Sequence, residues 1–264
     1  MDSGAPLSYY RIMRFFHALI IPLALLAIWQ AASLSGTVSP YLLPAPEQVL
    51  RSGITLVQSG VLGRHVAASL SRIAVGFSLS IALGFLCAGV LFRWPLLDKL
   101  LSGPFSFLRM TPPLALTPLL ILWLGIEDAT QIAIILLASF FPIYLNTRTG
   151  LGCLDSSFRE LAASLHLSRT RRVLCFLIPA AIPSILTGLR LSFGYSWRAL
   201  IAAELIAAGS GLGYMIMDAE QMQRADEVIV GILVIGVLGW LLDALFTRLA
   251  SALLARRFPE VKEL

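Results

Sequence analysis

Six apolar runs, near residues 16–35, 65–92, 104–125, 129–148, 174–207 and 228–254, dominate this chain of 264 residues. Each is close to the ~20 residues a helix needs to cross a hydrocarbon core of about 30 Å. Water is absent from that core, so every backbone N–H and C=O must be bonded internally, and a run of this kind crosses as a helix. Charged residues make up 13% of the chain and hydrophobic ones 58%, about half the ~25% charge of a soluble domain. The expected fold class is all-α: a polytopic membrane protein with about six transmembrane helices.

Basic residues orient the helices. With both termini cytoplasmic, the inner side receives Arg11, Arg14, Arg93, Lys99, Arg148, Arg159, Arg169, Arg171, Arg172, Arg248, Arg256, Arg257 and Lys262. The outer side receives Arg51, Arg64 and Arg224, while Arg72, Arg109, Arg190 and Arg198 fall in or at the edge of spans. A bias of 13 to 3 follows the rule that cytoplasmic loops are the positive ones. The net charge of +5 therefore reads as topology and not as a nucleic-acid footprint. The first run follows Arg11, Arg14 and His17 as a signal peptide would. Its near-spanning length and the lack of a small-x-small end predict a retained helix. The expected organisation is a first helix and external segment over 1–60, a transmembrane core over 61–250 and a cytoplasmic tail over 251–264. Within the first part, Pro40, Pro44 and Pro46 break the chain before a short amphipathic piece on the outer surface.

Signatures of catalysis and metal binding are missing from the sequence. Cys87, Cys153 and Cys175 form no CxxC, and His17, His65 and His166 are scattered over span edges and loops, without HExxH or GxSxG. No metal site and no enzymatic activity are expected, and no stretch outside the spans is long enough for a soluble core. Within the spans, prolines and charges stand out. Pro104, Pro112, Pro113 and Pro118 deny the third span a straight, uniform helix, since each removes a donor and crowds the preceding turn. Broken helices of this kind either pack with a kink or line a path. In the fourth span, Asn146 lies one turn beyond Pro142, within reach of a carbonyl freed by the kink.

Arg190, Trp197 and Glu204 recur every seven residues in the fifth span, drifting only about 20° per step, and Thr187, Gly194 and Ile201 share their face. Such a stripe faces the bundle interior or water. Arg198 stands to one side of it. An arginine there either forks onto an oxyanion in transit or pairs with a carboxylate that holds helices together. The following GSGLGYM lacks the lysine and strand of a phosphate loop and reads as a tight turn at the outer end.

Residues 160–194 join a charged, helix-favouring segment to an apolar span through Pro179 and Pro183. The first half must lie in water and the second in lipid, a join able to pass force from a soluble partner into the bilayer. The run Glu160-Leu161-Ala162-Ala163-Ser164-Leu165-His166, followed by Leu177-Ile178-Pro179, resembles the E-A-A-x-x-x-G loop of bacterial ABC importer permeases. The strings LLPAPEQVL, HVAASLSRIAVGF, PPLALTPLLILWLGI, FFPIYLNTRTGL, IPSILTGLR, AAELIAAGSGLGYMI and GILVIGVLGWLLD, in this order within a resemblance that covers about Leu42 to Leu249, are similar to the sulfonate, taurine and nitrate group of those permeases.

The resemblance implies a type I importer permease fold. It implies a coupling helix at about 155–172 that docks Glu160–His166 on a separate ATPase with Arg169 at its border. Other expectations are two ABC ATPase subunits, which alone hold ATP and Mg, a second copy of this chain, and a periplasmic or lipid-anchored binding protein that sets specificity. Translocation of a small anion would involve Pro112, Pro113, Arg190, Gly194, Trp197, Arg198 and Glu204. His166 stands where the loop usually has glycine, so the turn is less sharp or the groove differs. The alternative is an ATP-independent transporter or channel, which leaves the Glu160–Pro179 arrangement without a purpose.

Overall fold

The computed structural model describes residues 7–36, 38–39, 41–153, 168, 171 and 173–257, and the side chains of most of them from Ile20 onward. The segment expected to couple to an ATPase, Glu160 to His166 with Arg169, lies outside the described residues. So do Arg159, Arg172 and the end of the tail beyond Arg257. Helices account for all regular structure among the described residues: α1 (Leu7–Leu34), α2 (Pro46–Gln58), α3 (Val61–Arg93), α4 (Pro95–Met110), α5 (Thr117–Leu124), α6 (Asp128–Gly152), α7 (Ile178–Ala207), α8 (Leu212–Gln221) and α9 (Ala225–Arg257). A 3₁₀ turn, Pro113–Leu116, precedes α5, and a π turn, Val173–Leu177, leads into α7.

Four segments are long and apolar enough to cross a membrane: Val61–Arg93, Asp128–Gly152, Ile178–Gln221 and Ala225–Ala252. A fifth is the bent pair Pro95–Met110 and Pro113–Leu124. In α1 the apolar part with described side chains, Ile20–Leu34, is shorter than a span. The third crossing expected over 104–125 departs most from its outline. Helix α4 begins at Pro95 and carries Pro104 inside it, and the chain then turns by 88° at Thr111–Pro112. Two successive prolines supply no donors, and Thr111 takes the extended conformation (φ −78°, ψ 119°) that a following proline favours.

The chain divides into two units, residues 1–62 with 216–233 and residues 63–215 with 234–264. In the first, Pro46 opens α2 at a position where its missing N–H costs nothing. Val49 and Leu56 bury the apolar face of α2, and the Trp29 indole donates to the Pro44 carbonyl at 3.0 Å. The Ser52 hydroxyl donates to the Asp226 carboxylate at the start of α9.

In the second unit, small residues let helices approach as membrane helices do when lipid offers no competing hydrophobic drive. Gly76, Ser80, Gly84 and Ala88 recur every fourth residue on α3 and are buried together. A Cβ at Gly76 would sit 2.8 Å from Ile135 Cγ2, and one at Gly84 would sit 2.7 Å from Ile143 Cγ2. Between them Ser139 Oγ donates to Ser80 Oγ at 2.7 Å, bonding α6 to α3. Helices α6 and α7 pack along most of their lengths, again through glycines, with Gly150 against Ser184 and Gly188 against Asn146. Gly84→Val is therefore expected to lose about 1–3 kcal/mol, the usual cost of overpacking. Mild-detergent to SDS unfolding checks it, and an unchanged midpoint would show that α3 and α6 do not meet there.

Candidate functional site

The break between α4 and α5 opens one wall of a cavity of about 750 Å³ in the second unit. Pro112 and Pro113 lie at the break, α6 contributes Phe141 and Asn146, and α7 contributes Leu191, Tyr195, Arg198 and Ala202. The last four are spaced by four, three and four residues, which puts them on one stripe of α7. Most of the wall is apolar. Arg198 is its main polar feature on α7: Nε donates to the Gly194 carbonyl at 2.9 Å, and the guanidinium lies 5.3 Å from the Tyr195 ring centre. Arg109, in the last turn of α4, also lines the cavity. No carboxylate lines it among the described residues, and neither arginine belongs to an ion pair there. The Asn146 amide is committed to the carbonyl of Pro142 itself, at 2.9 Å.

The seven residues expected along a path therefore separate. Pro112, Pro113 and Arg198 line the cavity, and Gly194 holds Arg198 from behind. Arg190 does not line it; its guanidinium meets Asp243 of α9 at 3.1 Å with both side chains about half exposed. The Trp197 indole is buried against the backbone of Gly239, where a Cβ would come within 2.7 Å of Nε1. Glu204 is buried in a polar knot at the far end of α7. The seven-residue spacing is real, yet the members meet different neighbours, because a helix face in a bundle crosses several environments along its length.

Arg72 of α3 organises that knot. Its Nη1 donates to Glu204 Oε1 at 2.8 Å and to the Ser210 carbonyl at 2.6 Å. Nη2 donates to Ser210 Oγ at 2.7 Å, and Nε to Asp128 Oδ1 at 2.7 Å. Glu204 also accepts from Ser69 Oγ at 2.9 Å and from the Gly213 N–H at 3.0 Å. His65 Nδ1 accepts from the Gly211 N–H at 3.1 Å. The turn linking α7 to α8 is thus tied to α3. Gly211, at φ +111°, sits so close to the Glu204 carboxylate that a Cβ would overlap it. Arg72 carries the charge that makes a fully buried Glu204 tolerable. Sequence reading placed Arg72 in or at the edge of a span without a role, and passed over Ser69 and Asp128. A signal was present, since His65, Ser69, Arg72, Gly76 and Ser80 form one polar and small stripe on α3.

At the opposite end of the same unit, Arg148 of α6 meets Asp98 of α4 at 2.6 Å, and the Tyr144 hydroxyl is 3.4 Å from the same carboxylate. Among the described residues no group of three or more His, Cys, Asp or Glu side chains converges as a metal site would require.

A bundle of span-length apolar helices, with charge pairs between them and an arginine-lined cavity beside a broken helix, suits a membrane transport subunit. Comparison with known proteins specifies it further. The family described as binding-protein-dependent transport system inner membrane component matches residues 80–258, and the chain belongs to that family. It is the permease of an ABC importer, a multi-pass inner-membrane protein and not an enzyme, in a family that works with an ATPase and a substrate-binding protein.

Among curated relatives, a Bacillus subtilis protein named as an aliphatic sulfonates transport permease, SsuC, is 39% identical, covering 90% of this chain and 87% of its own. The taurine transport system permease TauC of Escherichia coli is 34% identical over 83% of this chain and 82% of its own. For the nitrate import permease NrtB of Synechocystis the figures are 34%, 93% and 92%. A solved amino acid ABC transporter shares the fold, with a TM-score of 0.60 at 16% identity, over 77% of this chain and 97% of that one.

Proposed function

We propose that two copies of this chain enclose the translocation path, with both termini cytoplasmic. A separate ATPase holding ATP and Mg drives it, and a periplasmic or lipid-anchored binding protein delivers a small anion of the sulfonate, taurine or nitrate kind. The observation that carries this reading is the cavity beside the α4–α5 break, whose Arg198, without a carboxylate partner among the described residues, supplies positive charge inside a transport subunit. An unpaired arginine in a span costs at least about 2.5–3.5 kcal/mol, and an anion in transit offsets it. In this reading Pro112, Pro113, Gly194 and Arg198 form the path wall. Arg190, Trp197 and Glu204 hold the helices that frame it. Six crossings per copy, the first through α1, make a twelve-helix assembly, and closed two-fold symmetry is the common solution for one repeated chain.

The test is uptake in proteoliposomes carrying this chain, its ATPase and its binding protein. ATP-dependent accumulation with two copies of the chain per complex by mass is expected. Uptake without the ATPase, or one copy per complex, would overturn it.

Glu160–His166 forms the coupling helix on this reading, so Glu160→Lys should abolish ATP-driven uptake while membrane insertion is kept. Charge reversal on a water-facing helix barely disturbs the fold, whereas like charges at a docking surface cost several kcal/mol. Normal co-purification with the ATPase and normal uptake would remove Glu160 from the contact. His166→Gly, which restores the sharper turn, is expected to keep uptake; complete loss would give the histidine a role of its own.

A further inference from the structure

We infer that the Asp98–Arg148 pair is the inner gate of the cavity, a clasp that fastens the start of α4 to α6 and parts before a solute leaves; this rests on reading the cavity as part of the path. A second space of about 150 Å³ adjoins the cavity and shares Arg109, Phe141 and Leu145 with it. From Arg109 it follows Ser106 and Ser102 back along α4 and ends at Asp98 and Tyr144. Spacings of three and four residues put Arg109, Ser106 and Ser102 on one stripe of α4. A polar stripe with an arginine in a span faces the bundle interior or water. The start of α4 is flanked by Arg93 and Lys99, the basic residues that mark a cytoplasmic side. On that reading the space leads from the cavity toward the cytoplasm, and the pair stands at its exit.

The contact is built to open. Arg148 Nη2 donates to Asp98 Oδ2 at 2.6 Å, and the Tyr144 hydroxyl donates to Asp98 Oδ1 at 3.4 Å. Both charged side chains keep 30% of their surface exposed, so water takes the partner's place when they separate. Glu204 beside Arg72 has no exposed surface, and parting that pair would strand a buried charge. Helix α4 has no buried residue. It meets α6 through Phe105, whose ring lies edge-on to Phe140, Phe141 and Tyr144 at 5.3 to 6.0 Å. Arg148 is held from the other side, its guanidinium 5.8 Å from the Phe92 ring centre on α3. The partner free to move is therefore α4.

A hinge for that movement lies at the other end of the helix. The chain turns by 88° at Thr111–Pro112, where two prolines interrupt the ladder of helical hydrogen bonds. Asp98 is about 20 Å along the helix from this turn. A swing of about 10° there shifts Asp98 by roughly 3 Å, enough to part it from Arg148.

The experiment uses inside-out membrane vesicles, which present the cytoplasmic face, carrying the full chain with its ATPase. Ser106→Cys is labelled with a membrane-impermeant maleimide and read by peptide mass spectrometry at that position alone, so the native cysteines stay. Added to it, Asp98→Asn and Arg148→Gln should each speed labelling roughly tenfold, the worth of one charge-assisted hydrogen bond. Asp98→Arg with Arg148→Asp, which restores the pair in reverse, should bring the rate back toward its starting value. A labelling rate indifferent to the pair, even with a lower yield of assembled complex, makes the contact structural and overturns the gate.

In proteoliposomes with the binding protein, Asp98→Cys with Arg148→Cys, joined by a short bifunctional maleimide, should lose ATP-driven uptake of labelled ethanesulfonate. Asp98→Cys alone, treated in the same way, should keep it. Uptake that survives the cross-link overturns the gate. Labelling needs no transport, so the two readings fail separately. ATP-driven uptake with labelling indifferent to the pair defeats the gate alone, and pair-dependent labelling with no ATP-driven uptake of any solute defeats the path reading instead.

Discussion

Replacing Arg72 by leucine is expected to destabilise the protein by about 3–5 kcal/mol, the cost of leaving a buried charge unanswered. Glu204 has no exposed side-chain surface, and Arg72 is its cationic partner at 2.8 Å. Loss of the guanidinium also frees the Ser210 carbonyl and hydroxyl, so the turn from α7 to α8 loses its tie to α3. Hydrogen bonds between membrane helices average only ~0.6 kcal/mol, so a loss several times larger would identify the charge as the cause. The double variant Arg72→Leu/Glu204→Leu should recover much of the stability, because no buried charge remains. Asp128→Asn should cost under ~1 kcal/mol, since a surface pair is screened by water and the Asp128 side chain is 66% exposed. SDS unfolding of the three variants measures all of this. An Arg72→Leu protein as stable as wild type would mean that Glu204 is held by its neutral partners alone.

Arg198→Gln is expected to lower the initial rate of uptake of a labelled organic sulfonate by roughly tenfold to a hundredfold, the worth of one hydrogen bond to a charged group. Assembly should be unaffected, because among the described residues Arg198 bonds only the Gly194 carbonyl of its own helix and stacks on Tyr195. Arg190→Gln should behave in the opposite way. Its charge is already answered by Asp243, 3.1 Å away, so uptake per assembled complex stays near wild type while thermal stability falls slightly. Equal uptake in wild type and Arg198→Gln would take this arginine out of the path, and a large uptake defect confined to Arg190→Gln would put that residue there instead.

How much of this was legible in the sequence differs from residue to residue. Apolar length and the absence of an alternative to helical hydrogen bonding in lipid determined the all-α class and the approximate limits of α3, α6, α7 and α9. Pro112-Pro113 determined that the third span breaks, because two missing donors cannot be hidden in a helix. The run of strings from Leu42 to Asp243 determined the family, since it depends only on residue order. Tertiary structure decided the rest. Arg190 and Arg198 are eight residues apart on one helix and chemically identical, yet one faces Asp243 and the other faces an open cavity. Glu204 looks from its spacing like a companion of Arg190 and is instead the partner of Arg72, 132 positions earlier. Periodicity reports which side of a helix a residue occupies. Which carboxylate, glycine or empty space lies across from that side depends on where distant helices pack, and for charges in a membrane that neighbour sets the role.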